Sequence, residues 1–321
     1  MKKMVLKAGV FCVALLLGFS AYALSGLNGI LAVGEGDQQH LLAYGHGGKV
    51  LRSDDGENWR AIDSQASSLH AGVWKANSPH VVLAGARGKA LYSTDGGKNF
   101  VGHHTGGTGN ITGIVFDGTR YIAVSSAGEI ATSEDGVRWD IQVVKSKVVL
   151  KGIAAANGVV VIVGHNGFIA TSADGKEWHM QNSGTTEDLY SVAFSNSNFM
   201  AVGATGSVLI SHNNGLHWRA VQPPEGADKL FADKVFQDGA GQGFFVAGSI
   251  GYSQYLYHFD PPSQQWRELL VSNNIIVEGV ARAFGRLFVA GILTGTKFKD
   301  HAIILSSADD GGTWEIVHGG A

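Results

Sequence analysis

The chain has 321 residues, of which 24 are basic and 27 acidic, with 46 glycines, five prolines and one cysteine. Charged residues are only 16 % of the total and no basic run is interleaved with aromatics, which argues against a nucleic-acid partner. One cysteine excludes an internal disulfide framework and a Cys-based metal site.

Residues 1–23 read as a targeting segment. Lys2, Lys3 and Lys7 form a basic start, an apolar stretch runs from Ala8 through Leu17 to Phe19, and Ala21-Tyr22-Ala23 is a small-x-small cleavage site. The expectation is an exported protein, periplasmic or extracellular, with a mature chain from Leu24. Cys12 falls inside this segment, and Val10 and Phe11 before it are not the small residues of a lipoprotein signal. Removing the segment takes out three lysines and leaves a formal charge of −6.

From about Ile30 onward the chain repeats. A short box recurs as Ser53 to Trp59, Ser93 to Phe100, Ser133 to Trp139, Ser172 to Trp178, Ser211 to Trp218 and Ser307 to Trp314, with a faint copy from His258 to Trp266. The closing aromatics Trp59, Phe100, Trp139, Trp178, Trp218, Trp266 and Trp314 stand 41, 39, 39, 40, 48 and 48 residues apart. A period near 40 residues signals a repeat architecture. The box has turn chemistry: Ser and the acidic residue (Asp55, Asp95, Asp135, Asp174 or Asp309, with Asn213 in the softened copy) accept backbone N–H bonds, and Gly supplies positive φ. The aromatic is expected to bury its ring beside the turn.

Each repeat reads as four strands. In the third these are Ile111–Phe116, Tyr121–Ser125, Glu129–Thr132 and Trp139–Val144; the fourth and fifth repeats match. No stretch past the first segment has helical periodicity. Four antiparallel strands, repeated seven times, predict a single seven-bladed all-β propeller over residues 24–321, ending near Val317. Repeats six and seven carry about eight extra residues, placed at Gly251–Tyr257 and Thr294–His301.

The box with its preceding strand, as in Val202 to Ser211, resembles the Asp-box or bacterial neuraminidase repeat. Whole units such as AYGHGGKVLRSDDGENW and AVGATGSVLISHNNGLHW resemble the repeats of the photosystem II stability and assembly factor-like propellers. The resemblance covers essentially the whole mature chain. It implies that the boxes lie between strands three and four, and that ligands bind on the opposite face. That mouth would carry His46, Arg87, Ser126, His165, Thr205, Tyr252 and Tyr255, then Lys297, Lys299, Asp300 and His301, from loops between strands two and three. The connections between blades would add His70, His103, His104, Lys145, Lys147, Glu187, Asp188 and Asp228. His46, Arg87, His165, Thr205, Tyr252, Tyr255, Glu187 and Asp188 are the candidate binding residues.

No catalytic residue is assigned. Sialidases resemble this fold but clamp a carboxylate with three arginines; Leu27 to Leu51 contains none, and Arg87 is the single arginine at the mouth positions. The neighbours His103 and His104 point to opposite faces of a strand, and the Gly45–Gly48 run precedes a strand rather than a helix. The reading is therefore a monomeric, non-catalytic propeller without metal or cofactor, binding a protein client and assisting assembly or stability of a membrane or envelope complex. The alternative is a carbohydrate-active propeller, a lectin or glycoside hydrolase, with Tyr252 and Tyr255 as platforms and Glu187 or Asp188 as acid.

Overall fold

A computed structural model describes residues 5–7, 26–144, 148–239, 242–294 and 302–319. Seven antiparallel sheets follow one another along the chain, each made of consecutive strands. Blade one is Leu27–Val33, His40–Gly45, Val50–Ser53 and Arg60–Ile62; blade two is Leu69–Trp74, Val81–Gly85, Lys89–Ser93 and Val101–His104. Blade three is Ile111–Phe116, Tyr121–Ser125, Glu129–Ser133 and Asp140–Val143; blade four is Leu150–Ala156, Val159–Gly164, Ile169–Ser172 and His179–Gln181. Blade five is Leu189–Ser195, Asn198–Gly203, Val208–Ser211 and Arg219–Ala220; blade six is Phe231–Gln237, Phe244–Ile250, Ser253–Asp260 and Gln265–Ser272. Blade seven is Ile275–Ala283, Arg286–Leu293, Ala302–Ser307 and Thr313–His318, and Val5–Lys7 pairs antiparallel along its outer strand. This is the seven-bladed propeller that the repeat predicts, with strand ends within about two residues in the third to fifth repeats. The remainder of the targeting segment lies outside the described residues.

The hydrophobic core is divided among the seams. Seven apolar clusters form, and each draws residues from two neighbouring blades. Leu27, Leu41 and Leu51 of blade one, for instance, pack on Phe288, Ala290 and Ile304 of blade seven. A middle strand is covered on both faces, so it is apolar without alternation, as in Val160-Val161-Ile162-Val163, all buried. At the blade seven to blade one seam this packing is joined by polar contacts, the Phe284 N–H on Gln39 Oε1 (2.9 Å) and Arg286 on Glu57 (3.3 Å).

The boxes form the outer part of the same seams. In blade four, Ser172 Oγ accepts the Gly175 N–H (2.8 Å) and donates to Asp174 Oδ1 (3.1 Å), which also accepts the N–H groups of Lys176 and Glu177 (both 2.8 Å). The pairs Ser53–Asp55, Ser93–Asp95, Ser133–Asp135, Ser211–Asn213 and Ser307–Asp309 repeat the arrangement. The box glycine then abuts the preceding blade. A Cβ on Gly56 would lie 2.5 Å from Phe288, and one on Gly175 would lie 2.9 Å from Ile122.

Two differences from the sequence reading concern burial and strand length. Of the box aromatics only Trp314 is fully enclosed, at 1 % exposure, since Val5–Lys7 adds a strand beyond it with Leu6 opposite; Trp59, Phe100, Trp139, Trp178, Trp218 and Trp266 stand by the outer edge of their blades and are half-buried. The extra residues of blade six lengthen its strands rather than a loop, so Ser253–Tyr257 is paired sheet. The extra segment of blade seven lies largely outside the described residues.

Candidate functional site

The strand directions put the boxes and the turns between strands one and two on one face. The turns between strands two and three and the blade-to-blade connections share the other, the mouth face.

Four of the candidate residues come together there, at the junction of blades four and five. Asp188, just before the inner strand of blade five, accepts the Asn166 N–H at Oδ1 (2.9 Å), and its Oδ2 is 3.9 Å from His165 Nε2. Thr205, in left-handed backbone (φ 53°), donates from Oγ1 to Glu187 Oε2 (3.0 Å). The other candidates stand apart. His46 of blade one faces Ser68, with Nδ1 3.4 Å from Oγ. Arg87 (φ 54°) is exposed on blade two and anchored through its N–H to Asn110 Oδ1 (3.1 Å). Tyr252 is 96 % exposed on the blade-six turn.

Some residues expected in mouth loops lie elsewhere. Tyr255 sits within a strand of blade six, half-buried and stacked on Tyr257 at 5.5 Å. His103 and His104 belong to the outer strand of blade two, and His70 to its inner strand. Lys145, Lys147, Lys297, Lys299, Asp300 and His301 lie outside the described residues. Among the described residues, no group of three or more His, Cys, Asp or Glu side chains is placed to hold a metal ion.

The channel contributes a second, more ordered set of residues. The inner strand of every blade carries a β-bulge near its mouth end, where the register slips at Leu27/Gly29, Leu69/Ala71, Ile111/Gly113, Leu150/Gly152, Leu189/Ser191, Ala232/Lys234 and Val277/Gly279. The extra residues are Asn28, His70, Thr112, Lys151, Tyr190, Asp233 and Glu278. All are polar, and they form a ring at the mouth ends of the inner strands; all but Asp233 line a channel of about 540 Å³, where Lys234 takes its place in blade six. A bulge re-aims a side chain without breaking the sheet. A small residue usually follows because the inner strands nearly touch: a Cβ on Gly279 would lie 2.7 Å from the Ile30 nitrogen.

Charge is unevenly spread around this ring. Lys234 Nζ lies 3.2 Å from Glu278 Oε2. Burial, reinforced by the nearby Glu278 carboxylate, pushes the Asp233 carboxyl up to about 7. Burial by itself would lower the Lys234 ammonium, but Glu278 and Asp233 outweigh it and hold it above its usual value. His70 is lowered, chiefly by burial, and stays neutral near pH 7. At the box end of the channel, Arg282 bonds Asp238 through Nε and lies 2.6 Å from Asp310 Oδ1, and His258 Nε2 is 3.1 Å from Asp238.

The sequence reading missed Lys151, Tyr190, Glu278 and Arg282. A signal was present: an apolar residue, a polar one and then a small one opens most repeats, as in Leu27-Asn28-Gly29 and Leu150-Lys151-Gly152.

No family model matches the sequence, and no curated protein matches it. Solved structures do match. The chain is similar in fold to YCF48. A structure of YCF48 bound to a D1 peptide superposes with a TM-score of 0.65 at 14 % identity, covering 98 % of this chain and 94 % of that one. YCF48 from Cyanidioschyzon merolae gives 0.66 at 15 % identity, covering 98 % of both chains. The β-propeller domain of Myceliophteria thermophila Cps50 (Swd1) gives 0.67 at 9 %, covering 91 % and 96 %. At these identities the likeness concerns the fold.

Proposed function

We propose that this protein is an exported, non-catalytic propeller that binds a protein client across its mouth face and so assists assembly or stability of a membrane or envelope complex. The observation that carries the reading is the cluster of Asp188, His165, Glu187 and Thr205 at the seam of blades four and five, held by cross-blade hydrogen bonds beside the channel. Such loops on a rigid scaffold offer directional polar contacts with little ordering cost. The YCF48 neighbour with a bound peptide adds support, because the same architecture there takes a polypeptide ligand.

The test is crosslinking and affinity capture of the protein from its own cell envelope. Recovery of one membrane protein, and its loss from the Arg87→Ala/His165→Ala double variant, supports the reading. Unchanged recovery from that variant, with the fold intact, rules out the mouth loops as the docking face.

A further inference from the structure

The ring of bulge residues is divided in two. In blades one to three the side chain is used to hold the next blade. Asn28 Nδ2 donates to the Leu69 carbonyl (2.7 Å), Thr112 Oγ1 to the Leu150 carbonyl (2.9 Å), and the His70 ring bonds the backbone at Ile111. In blades four to seven the bulge residue makes no hydrogen bond to the next blade's backbone among the described residues. Those side chains form an arc instead. Lys151 Nζ lies 5.9 Å from the centre of the Tyr190 ring, and Tyr190 lies 5.0 Å from Phe231 at an interplanar angle of 35°. Phe231 is 44 % exposed at the mouth end of blade six, and the ion-paired Lys234 and Glu278 continue the arc along the channel wall.

We propose that this arc is a binding site for an acidic sugar unit, a hexuronate. Its carboxylate would pair with Lys151, its apolar ring face would cover Tyr190 and Phe231, and its hydroxyls would bond Lys234 and Glu278. Each part of the arc requires one feature of that ligand. Lys151 makes no ion pair with a described residue and keeps its ammonium donors for an anion, since a ring face accepts only one side of the group. An exposed aromatic beside polar groups offers apolar area next to hydrogen-bonding positions, the mixture that small-ligand sites use. The Glu278 carboxylate beside them accepts hydroxyl protons, and the Lys234 ammonium, 3.2 Å from it, donates to hydroxyl oxygens. The 540 Å³ channel is within the range of small-molecule sites. An acidic peptide side chain would meet Lys151 but leave the two rings and the Lys234–Glu278 pair uncovered.

The test is titration of galacturonate into the full chain, followed by calorimetry, with galactose and the tripeptide Ala-Glu-Ala as comparison ligands. Galacturonate is expected to bind, with galactose about tenfold weaker or more, the loss set by one charge-assisted hydrogen bond. Lys151→Gln should weaken galacturonate by the same factor, and Lys151→Arg should retain it. Phe231→Ala, an exposed change, should weaken both sugars. The proposal is overturned if galacturonate does not bind, if galactose binds equally well, if Lys151→Gln is without effect in a folded protein, or if the tripeptide binds as tightly as galacturonate. Client capture by the Lys151→Gln variant reports separately on the mouth loops, so the two readings can fail independently.

Discussion

Gly97 of the blade-two box lies directly on Leu42 of blade one, so close that a Cβ would come within 2.4 Å of Leu42 Cδ1. Its φ is +78°, a conformation that costs an L side chain about 1–2 kcal/mol. Overpacking adds about 1–3 kcal/mol. Gly97→Ala is therefore expected to lose roughly 2–5 kcal/mol of stability in denaturant titration. Gly47 provides the control: its φ is +63° but its added Cβ would meet nothing within 4 Å, so Gly47→Ala should lose only the backbone part. Equal losses for the two would show that the box glycine does not seal the seam.

The box tryptophans should not be equivalent. Trp314 is enclosed and donates its indole N–H to the Leu269 carbonyl (2.9 Å). Trp178 is half-buried, and its indole N–H meets the Gly175 carbonyl at 3.3 Å. Replacement of Trp314 by Ala is expected to destabilise by about 3–5 kcal/mol, the range for large core residues, and Trp178→Ala by roughly half of that. Chemical denaturation of the two variants side by side checks the order.

Acid should loosen the boxes. Asp174 is held down to about 2, first by the backbone N–H groups of Glu177 and Lys176, and Asp309 to about 2, first by those of Thr313. Their folded values lie below the unfolded one, so their contribution is present above about pH 4 and is lost as pH falls through about 2. Asn213 shows that an amide serves the same turn, since its Oδ1 accepts from Ser211 Oγ and the His217 N–H. Asp174→Asn should therefore fold normally at pH 7 and lose less stability than the parent between pH 5 and pH 2.5, read from melting temperatures.

Asp233 should act in the opposite sense. Its folded value, about 7, lies above the unfolded 3.8. The folded state keeps a proton that the unfolded chain releases, so stability falls as pH rises from about 4 through 7. Asp233→Asn should flatten that part of the profile. A melting curve of identical pH slope in the variant would place the titration elsewhere.

The fold was legible because its signals repeat. One Ser-Asp-Gly turn is ambiguous, but five related copies that start 39 or 40 residues apart, with a sixth at Ser307, leave few architectures. The mouth was less legible. His46, Arg87 and His165 occupy turns whose position follows from the strand order, yet which of them share a partner depends on how adjacent blades are rotated. Asp188 reaches back to the turn of blade four, and no local pattern in its own repeat says so. The bulge ring was missed for a different reason. Strict alternation assigns a residue to one face of a strand, and a bulge breaks that rule by one residue. Lys151 and Glu278 thus carry no local mark of facing the channel. Tyr255 was displaced because extra residues were taken for a loop when they extended a ladder.

The closure of the ring has a mechanical consequence. The four inner-to-outer strands of every blade come from one unbroken stretch of chain, and among the described residues the last seam is fastened by contacts such as Phe288 on Gly56, the Arg286–Glu57 ion pair (3.3 Å) and the Gln39 side chain on the Phe284 N–H (2.9 Å). Over residues 26–319 the molecule is a bracelet with a clasp: six joints are threaded on that stretch of chain, and the seventh is not. Strain applied around the circumference should part it at the clasp first, once Val5–Lys7 has peeled from Thr313–Glu315, and the bracelet should then be able to snap shut again.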